Sequence, residues 1–116
     1  MAKVDYFEIG TPDPGATKAF YEGVFGWKIE APTGPANYSM IGAAEGGVWD
    51  TSTLGGGAYA VFYINVDDVH ATVDKAVSLG ASVVIPVTDN GAIFFAHLLD
   101  PHGSRIAVWH PKPSSG

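Results

Sequence analysis

Asp13-Pro14-Gly15-Ala16-Thr17 and, 55 positions later, Asp68-Val69-His70-Ala71-Thr72 open two similar stretches of the chain. In both, an acidic residue is placed to cap a helix, and apolar residues recur behind it at the spacing of one helical face. The first face carries Ala16, Ala19, Phe20 and Val24, the second Val69, Val73, Ala76 and Val77. Pro14 suits a first helical position, and Gly26 and Gly80 end the two segments. Either Asp67 or Asp68 can cap the second helix; adjacent carboxylates there complement the helix dipole and need not mark a cation site.

The surrounding chain repeats as well. A β-branched and aromatic run, Val4 to Ile9, precedes the first helix, and Ala58 to Val66 precedes the second. Trp27 to Glu30, Asn37 to Ile41 and Gly46 to Asp50 read as three short strands after the first helix. Strands near 82–87, 92–99 and 104–109 follow the second. The order βαβββ therefore occurs twice, which predicts an α+β fold of one domain with a first module of about residues 1–52 and a second of about 58–110. Each half is too small to hold a core well alone, so the two are expected to pack as one unit. Thr51 to Gly57 is the flexible connection. Gly55-Gly56-Gly57 lacks a following Lys-Ser/Thr and precedes a strand, so it is not a phosphate loop. Pro111 to Gly116 reads as a frayed end.

The chain has 116 residues, with 12 acidic against 6 basic side chains, a formal charge of −6 and no cysteine. Scattered cations in an acidic chain exclude nucleic acid as the expected partner. The absence of cysteine removes disulfides, thiolate zinc sites and a cysteine nucleophile. No apolar run approaches the roughly 20 residues of a membrane helix, and no signal-peptide pattern opens the chain, so a cytoplasmic protein is expected. Charged residues make up only 16% of the chain, against about 25% in typical domains, which is compatible with a large buried dimer face.

Three passages carry a family resemblance. They are Tyr6-Phe7-Glu8-Ile9 with Asp13-Pro14 and Phe20-Tyr21-Glu22-Gly23-Val24-Phe25-Gly26-Trp27; Val66-Asp67-Asp68-Val69 with Leu79-Gly80-Ala81; and Asp100-Pro101-His102-Gly103-Ser104-Arg105-Ile106. In order and spacing the chain resembles the glyoxalase/bleomycin resistance/dioxygenase superfamily, also called the vicinal oxygen chelate superfamily. The resemblance implies paired βαβββ modules whose strands curl into an open, cup-like mixed sheet with helices outside, in homodimers. Metal-dependent members of that family hold a divalent ion with His, Gln or Glu from the first and last strands of each module. Here those positions carry Tyr6, Val61 or Ala60, Ala107, and the Gly47-Val48-Trp49 stretch. Three or four convergent N/O side chains are needed for such a site, so neither a metal nor another cofactor is expected, with an atypical divalent site as the open alternative.

Period-two alternation sends Phe7 and Ile9 under the helix and leaves Tyr6 and Glu8 on the opposite face. In the last strand Ile106 and Val108 go under the helix, while Arg105, Ala107 and Trp109 face away. Val61 and Tyr63 repeat Tyr6 and Glu8. In the 92–99 strand either Phe95, His97 and Leu99 or Phe94, Ala96 and Leu98 face the cup, and the His97 face is preferred. The expected ligand-binding set is Tyr6, Glu8, Tyr38, Trp49, Tyr63, Phe95, His97 and Trp109. That aromatic lining suits a small aromatic or amphipathic organic molecule, with Glu8 and His97 as polar groups.

A buried carboxylate such as Glu8 can serve as a general base, and His97 as its acid/base partner. His70, His102 and His110 lie at expected exposed positions. No G-x-S-x-G context activates a serine. Two readings follow: a metal-free small-molecule binder similar to the family's antibiotic-binding proteins, or a small-molecule lyase, isomerase or dioxygenase-like enzyme using Glu8 or His97. A third, a subunit acting through protein contacts, predicts a cup filled by its own side chains.

Overall fold

The computed structural model describes residues 2–54 and 57–113. Its elements run β1 (Lys3–Thr11), α1 (Pro14–Phe25), β2 (Tyr38–Ile41), β3 (Gly46–Asp50), β4 (Tyr59–Asn65), α2 (Val69–Ser78), β5 (Ser82–Asp89), β6 (Ile93–Leu99) and β7 (Arg105–Pro111). Seven strands and two helices make the α+β fold that the repeat predicts. Gly55 and Gly56 of the expected hinge lie outside the described residues, as do the last three residues of the expected frayed end. Pro111 is not frayed: it closes β7, and Lys112 N–H donates to the Ala92 carbonyl at 2.9 Å. No helix among the described residues is long and apolar enough to cross a membrane.

The chain forms two compact units, residues 6–61 and residues 2–5 with 62–113. In the first, strands lie in the order β2-β3-β1, with β1 parallel and β2 antiparallel to β3. In the second the order is β4-β7-β6-β5, with β4 parallel to β7 and the other neighbours antiparallel. Both units follow one plan, in which the strand before the helix lies parallel to the last strand after it. The strands do not close on themselves.

The first unit departs from its expected three strands after the helix. Trp27 to Glu30 makes a single bridge, Ile29 with Ile41, flanked by Glu30 N–H on the Met40 carbonyl and Gly42 N–H on the Lys28 carbonyl, each at 2.9 Å. Pro32 has no N–H to continue the ladder, so the segment stops short of a strand.

Both repeat aspartates are caps. Asp13 Oδ1 accepts Ala16 N–H and Asp68 Oδ1 accepts Ala71 N–H, each at 3.1 Å. Asp13→Ala and Asp68→Ala should each lower stability by about 1 kcal/mol, read as a shifted denaturant midpoint with unchanged slope; a shift no larger than that of an exposed Asp74→Ala control would refute the assignment. The second helix has a further cap that its sequence does not announce: Val69 N–H donates to His110 Nδ1 at 3.0 Å. His110, expected to be exposed, is half-buried.

The two helices bury opposite kinds of face. On α2, Val69 and Val73 are buried with Val66, Ala96, Leu98 and Val108, and Ala76 packs on the same cluster, while Val77 reaches solvent. On α1 the expected apolar face is the exposed one: Ala16, Ala19, Phe20 and Val24 all face outward. Its inward contacts are instead polar and aromatic. Thr17 Oγ1 donates to Thr11 Oγ1 at 2.8 Å, Glu22 Oε2 accepts Ile29 N–H at 3.0 Å, and Tyr21 packs on the Ile9, Ile29, Ile41 and Val48 core. A ring and two hydrogen bonds hold this helix where a row of aliphatics was expected.

Candidate functional site

Away from α1, the first unit gathers three tyrosines around one carboxylate. Glu8 is 2% exposed. Its Oε1 accepts from Tyr38 Oη at 3.0 Å and its Oε2 from Tyr59 Oη at 2.7 Å. Tyr6 and Tyr38 hydroxyls lie 2.8 Å apart. Because the Tyr38 proton points at Glu8, Tyr6 is the donor of that pair, and the order Tyr6 to Tyr38 to Glu8 is fixed by one hydrogen per phenol. Burial holds the Tyr6 hydroxyl above the ordinary phenol range, with the nearby Glu8 charge acting in the same direction and the Tyr38 hydrogen bond against it, so Tyr6 is a neutral donor at neutral pH.

Glycines make room for these rings. Gly47 is the β3 partner of Glu8, and a Cβ there would fall within the Tyr38 ring; a Cβ on Gly10 would fall within the Tyr59 ring. Trp49 pairs with Gly10 on one side and Tyr38 on the other, which places it on the face of Glu8. Tyr59 was not among the expected residues. Its signal was present, since 59, 61 and 63 share one face by alternation and Tyr63 was already placed there.

The second unit builds a separate cluster on His97, which is fully buried. Tyr63, Ala107 and His97 stand in one row across β4, β7 and β6. The small Ala107 side chain between them lets Tyr63 Oη reach His97 Nε2 at 2.7 Å, while Arg105 Nε–H donates to His97 Nδ1 at 3.1 Å. A nitrogen that accepts from Arg105 carries no proton, so the neutral ring has its hydrogen on Nε2 and donates to Tyr63. Burial, aided by the Arg105 charge, pushes the His97 pKa down to about 3. Phe95 packs edge-on to His97 with ring centroids 6.0 Å apart. Trp109 Nε1–H donates to Asp5 Oδ1 at 2.9 Å.

The preferred β6 face is the one turned from the helix: Ala96 and Leu98 are buried against α2, with Phe94 packed on them. Chemically, the first cluster offers a carboxylate reached through phenols. The second offers a neutral imidazole with both nitrogens already committed. At the positions where the family resemblance places metal ligands, Val61 and Ala107 offer no donor atom and Tyr6 is a neutral phenol.

One helix in each unit, with the strand before it parallel to the last one after it, defines a class of duplicated α+β proteins. The chain belongs to the Glyoxalase/Bleomycin resistance protein/Dioxygenase superfamily, whose profile matches residues 3–108. A candidate glyoxylase of Mycobacterium bovis, CFP32, is 32% identical over 97% of this chain and 47% of its own length. The chain thus spans about half the length of that relative. Among solved structures, the hypothetical protein BH1468 of Bacillus halodurans aligns with a TM-score of 0.65 at 15% identity, covering 99% of this chain and 98% of that one. Methylmalonyl-CoA epimerase of Mycobacterium tuberculosis aligns at 0.61 and 14%, covering 95% and 88%. These likenesses establish the shared fold.

Proposed function

We propose that the chain binds a small aromatic or amphipathic organic molecule on the face carrying Tyr6, Tyr38, Trp49 and Tyr59, with Glu8 orienting it. One observation carries this reading: a buried carboxylate clamped by two phenols whose rings are themselves only half-buried. Ring faces supply stacking and apolar contact, and hydroxyls already aimed inward can exchange a hydrogen bond with a ligand's polar group at little ordering cost. His97 acts here as a positioning residue for Tyr63 and Arg105, because a ring with a pKa of about 3 and two engaged nitrogens is poorly suited to accept a proton at pH 7. No metal takes part in this reading, since the donor set at the family's ligand positions does not suit a divalent ion.

A second reading is favoured by the Tyr6-Tyr38-Glu8 chain of hydrogen bonds: an enzyme in which Glu8 takes a proton from the ligand. The named activity of the CFP32 relative is in keeping with it. Titration of Trp49 fluorescence with a panel of aromatic ligands, alongside an isomerase assay on thiol adducts of α-keto aldehydes, separates the two. Glu8→Gln should weaken a bound aromatic less than about tenfold if Glu8 only orients. A drop of a hundredfold or more in turnover at unchanged affinity would install the enzyme reading, and an absence of any saturable ligand would remove both. Elemental analysis of untagged protein, with a divalent-metal titration followed by thermal shift, should show no stoichiometric metal and no gain in stability.

A further inference from the structure

On the α1 side of the first unit lies an open cleft of about 300 Å³. Ile9 and Thr11 line it from β1, Thr17 and Tyr21 from successive turns of α1, and Ala58 and Ala60 from the entry to β4. Ile9 and Thr11 alternate with Glu8, so the cleft and the carboxylate belong to opposite faces of β1. Tyr59 also borders it, and its hydroxyl leaves for Glu8. Among the described residues no charged side chain lines the cleft.

Thr11 is the polar group built into this wall. It is 5% exposed, and its Oγ1 accepts Thr17 O–H at 2.8 Å and Asp13 N–H at 3.1 Å. With both lone pairs filled, its own hydroxyl hydrogen has no acceptor among the hydrogen bonds of the described residues. The duplication shows that the fold does not require this arrangement. Val66 holds the place of Thr11 in the second unit and is buried with Val69 and Val73. There Thr72, the repeat of Thr17, returns its hydroxyl to its own helix at the Asp68 carbonyl, 2.8 Å away. Thr17 forgoes that local bond for Thr11. The first unit thus keeps a hydroxyl pair beside open space where the second packs a valine.

We propose that this cleft is a second binding site, distinct from the Glu8 face, for a neutral single-ring molecule that carries a carbonyl oxygen, such as an aromatic amide or ketone. Ile9, the two alanines and Tyr21 supply apolar and ring contact, and the spare hydroxyl hydrogen of Thr11 is a donor that selects an acceptor oxygen. Tyr21 is already fixed, stacked on Trp27 with centroids 5.2 Å apart and planes 12° from parallel, so little freedom remains to be lost on binding. The volume stands at the small end of ligand pockets, which run from about 300 to 1,000 Å³ and upward of one ring in capacity. An anion is disfavoured twice, by a lining without a cation to pair it and by the formal −6 of the chain.

Benzamide titrated into the nitrogen-15-labelled full chain, followed by backbone amide shifts, tests this. Shifts at Thr11, Thr17 and Ala60 should saturate with a dissociation constant of about 1 mM, an ordinary value for so small a ligand. Benzoate, the same ring with a charge, should bind at least tenfold more weakly. Thr11→Val, which copies Val66 of the second unit, should weaken benzamide at least fivefold. Ala60→Leu, a change at an exposed position, should fill the cleft and abolish the shifts, with the rest of the amide spectrum retained. The benzoate comparison needs only the wild type, so it stands even where a variant folds poorly. No saturation by about 20 mM, benzoate bound as well as benzamide, shifts confined to Glu8, Tyr38 and the Trp49 indole, or a folded Ala60→Leu protein that binds as the wild type does would each overturn the proposal.

Discussion

Replacing Gly47 with valine should destabilise the protein by about 3 kcal/mol and remove ligand binding at the tyrosine face together with it. A Cβ at 47 lands within the Tyr38 ring, and the backbone there is a buried part of β3 with strands on both sides. The ring cannot stay, so the variant pays for an overpacked site and also leaves Glu8 Oε1 without its Tyr38 donor. The cause can be isolated with a double-mutant cycle. Gly47→Ala combined with Tyr38→Ala should cost clearly less than the sum of the two single changes, because the collision vanishes when the ring does. Additive costs would mean that Gly47 serves the backbone alone and that Tyr38 is not held against it. Gly10→Val should behave in the same way against Tyr59.

Acid should expose His97. Its pKa is about 3 in the folded chain and about 6.5 when unfolded, so between these values the unfolded state binds the proton and the folded state does not. Stability is therefore complete above the unfolded value and is lost as pH falls below it, by about 1.4 kcal/mol per pH unit within the window. From pH 7 to pH 4.5 the loss attributable to this one ring is roughly 2 to 3 kcal/mol. Asp50, Asp89 and Asp100 are held below the ordinary carboxylate range by hydrogen bonds, those from Ser52, Lys112 and Ser104 being the largest. Their contribution is lost only as pH falls below about 4, so the upper part of the window belongs to His97. Denaturant melts of wild type and His97→Gln at pH 4.5, 5.5 and 6.5 should show the variant's slope flattened even where its stability is lower overall. Parallel slopes would mean that His97 is open to protons in the folded state.

The same reasoning explains why parts of the site could be read early. Glu8 and Tyr6 were legible because alternation in a strand is a rule of backbone geometry, and a carboxylate opposite Phe7 and Ile9 had to lie away from the helix. Tyr38 was legible as a residue, but not the fact that its hydroxyl ends on Glu8. That depends on Gly47 standing directly across from Glu8, and strand order is a property of the fold. His97 carried the opposite difficulty. As a residue type it suggested proton transfer, and only its neighbours, Arg105 donating to Nδ1 and Tyr63 on Nε2, turn it into a fixed neutral ring.

The sequence by itself determined the duplicated plan, the Asp13 cap, the face of β1 that carries Tyr6 and Glu8, and the α+β class. These follow from local rules, since period, cap and turn chemistry act over a few residues. Tertiary structure alone decided three things. It turned the α1 stripe of Ala16, Ala19, Phe20 and Val24 outward, because Tyr21, Thr17 and Glu22 found better partners inside. It brought Tyr59 to Glu8 across 51 positions of chain, and it gave His110 to the start of α2. Each of these choices is a competition between faces or partners distant in sequence, and it is settled by which contacts can be made together.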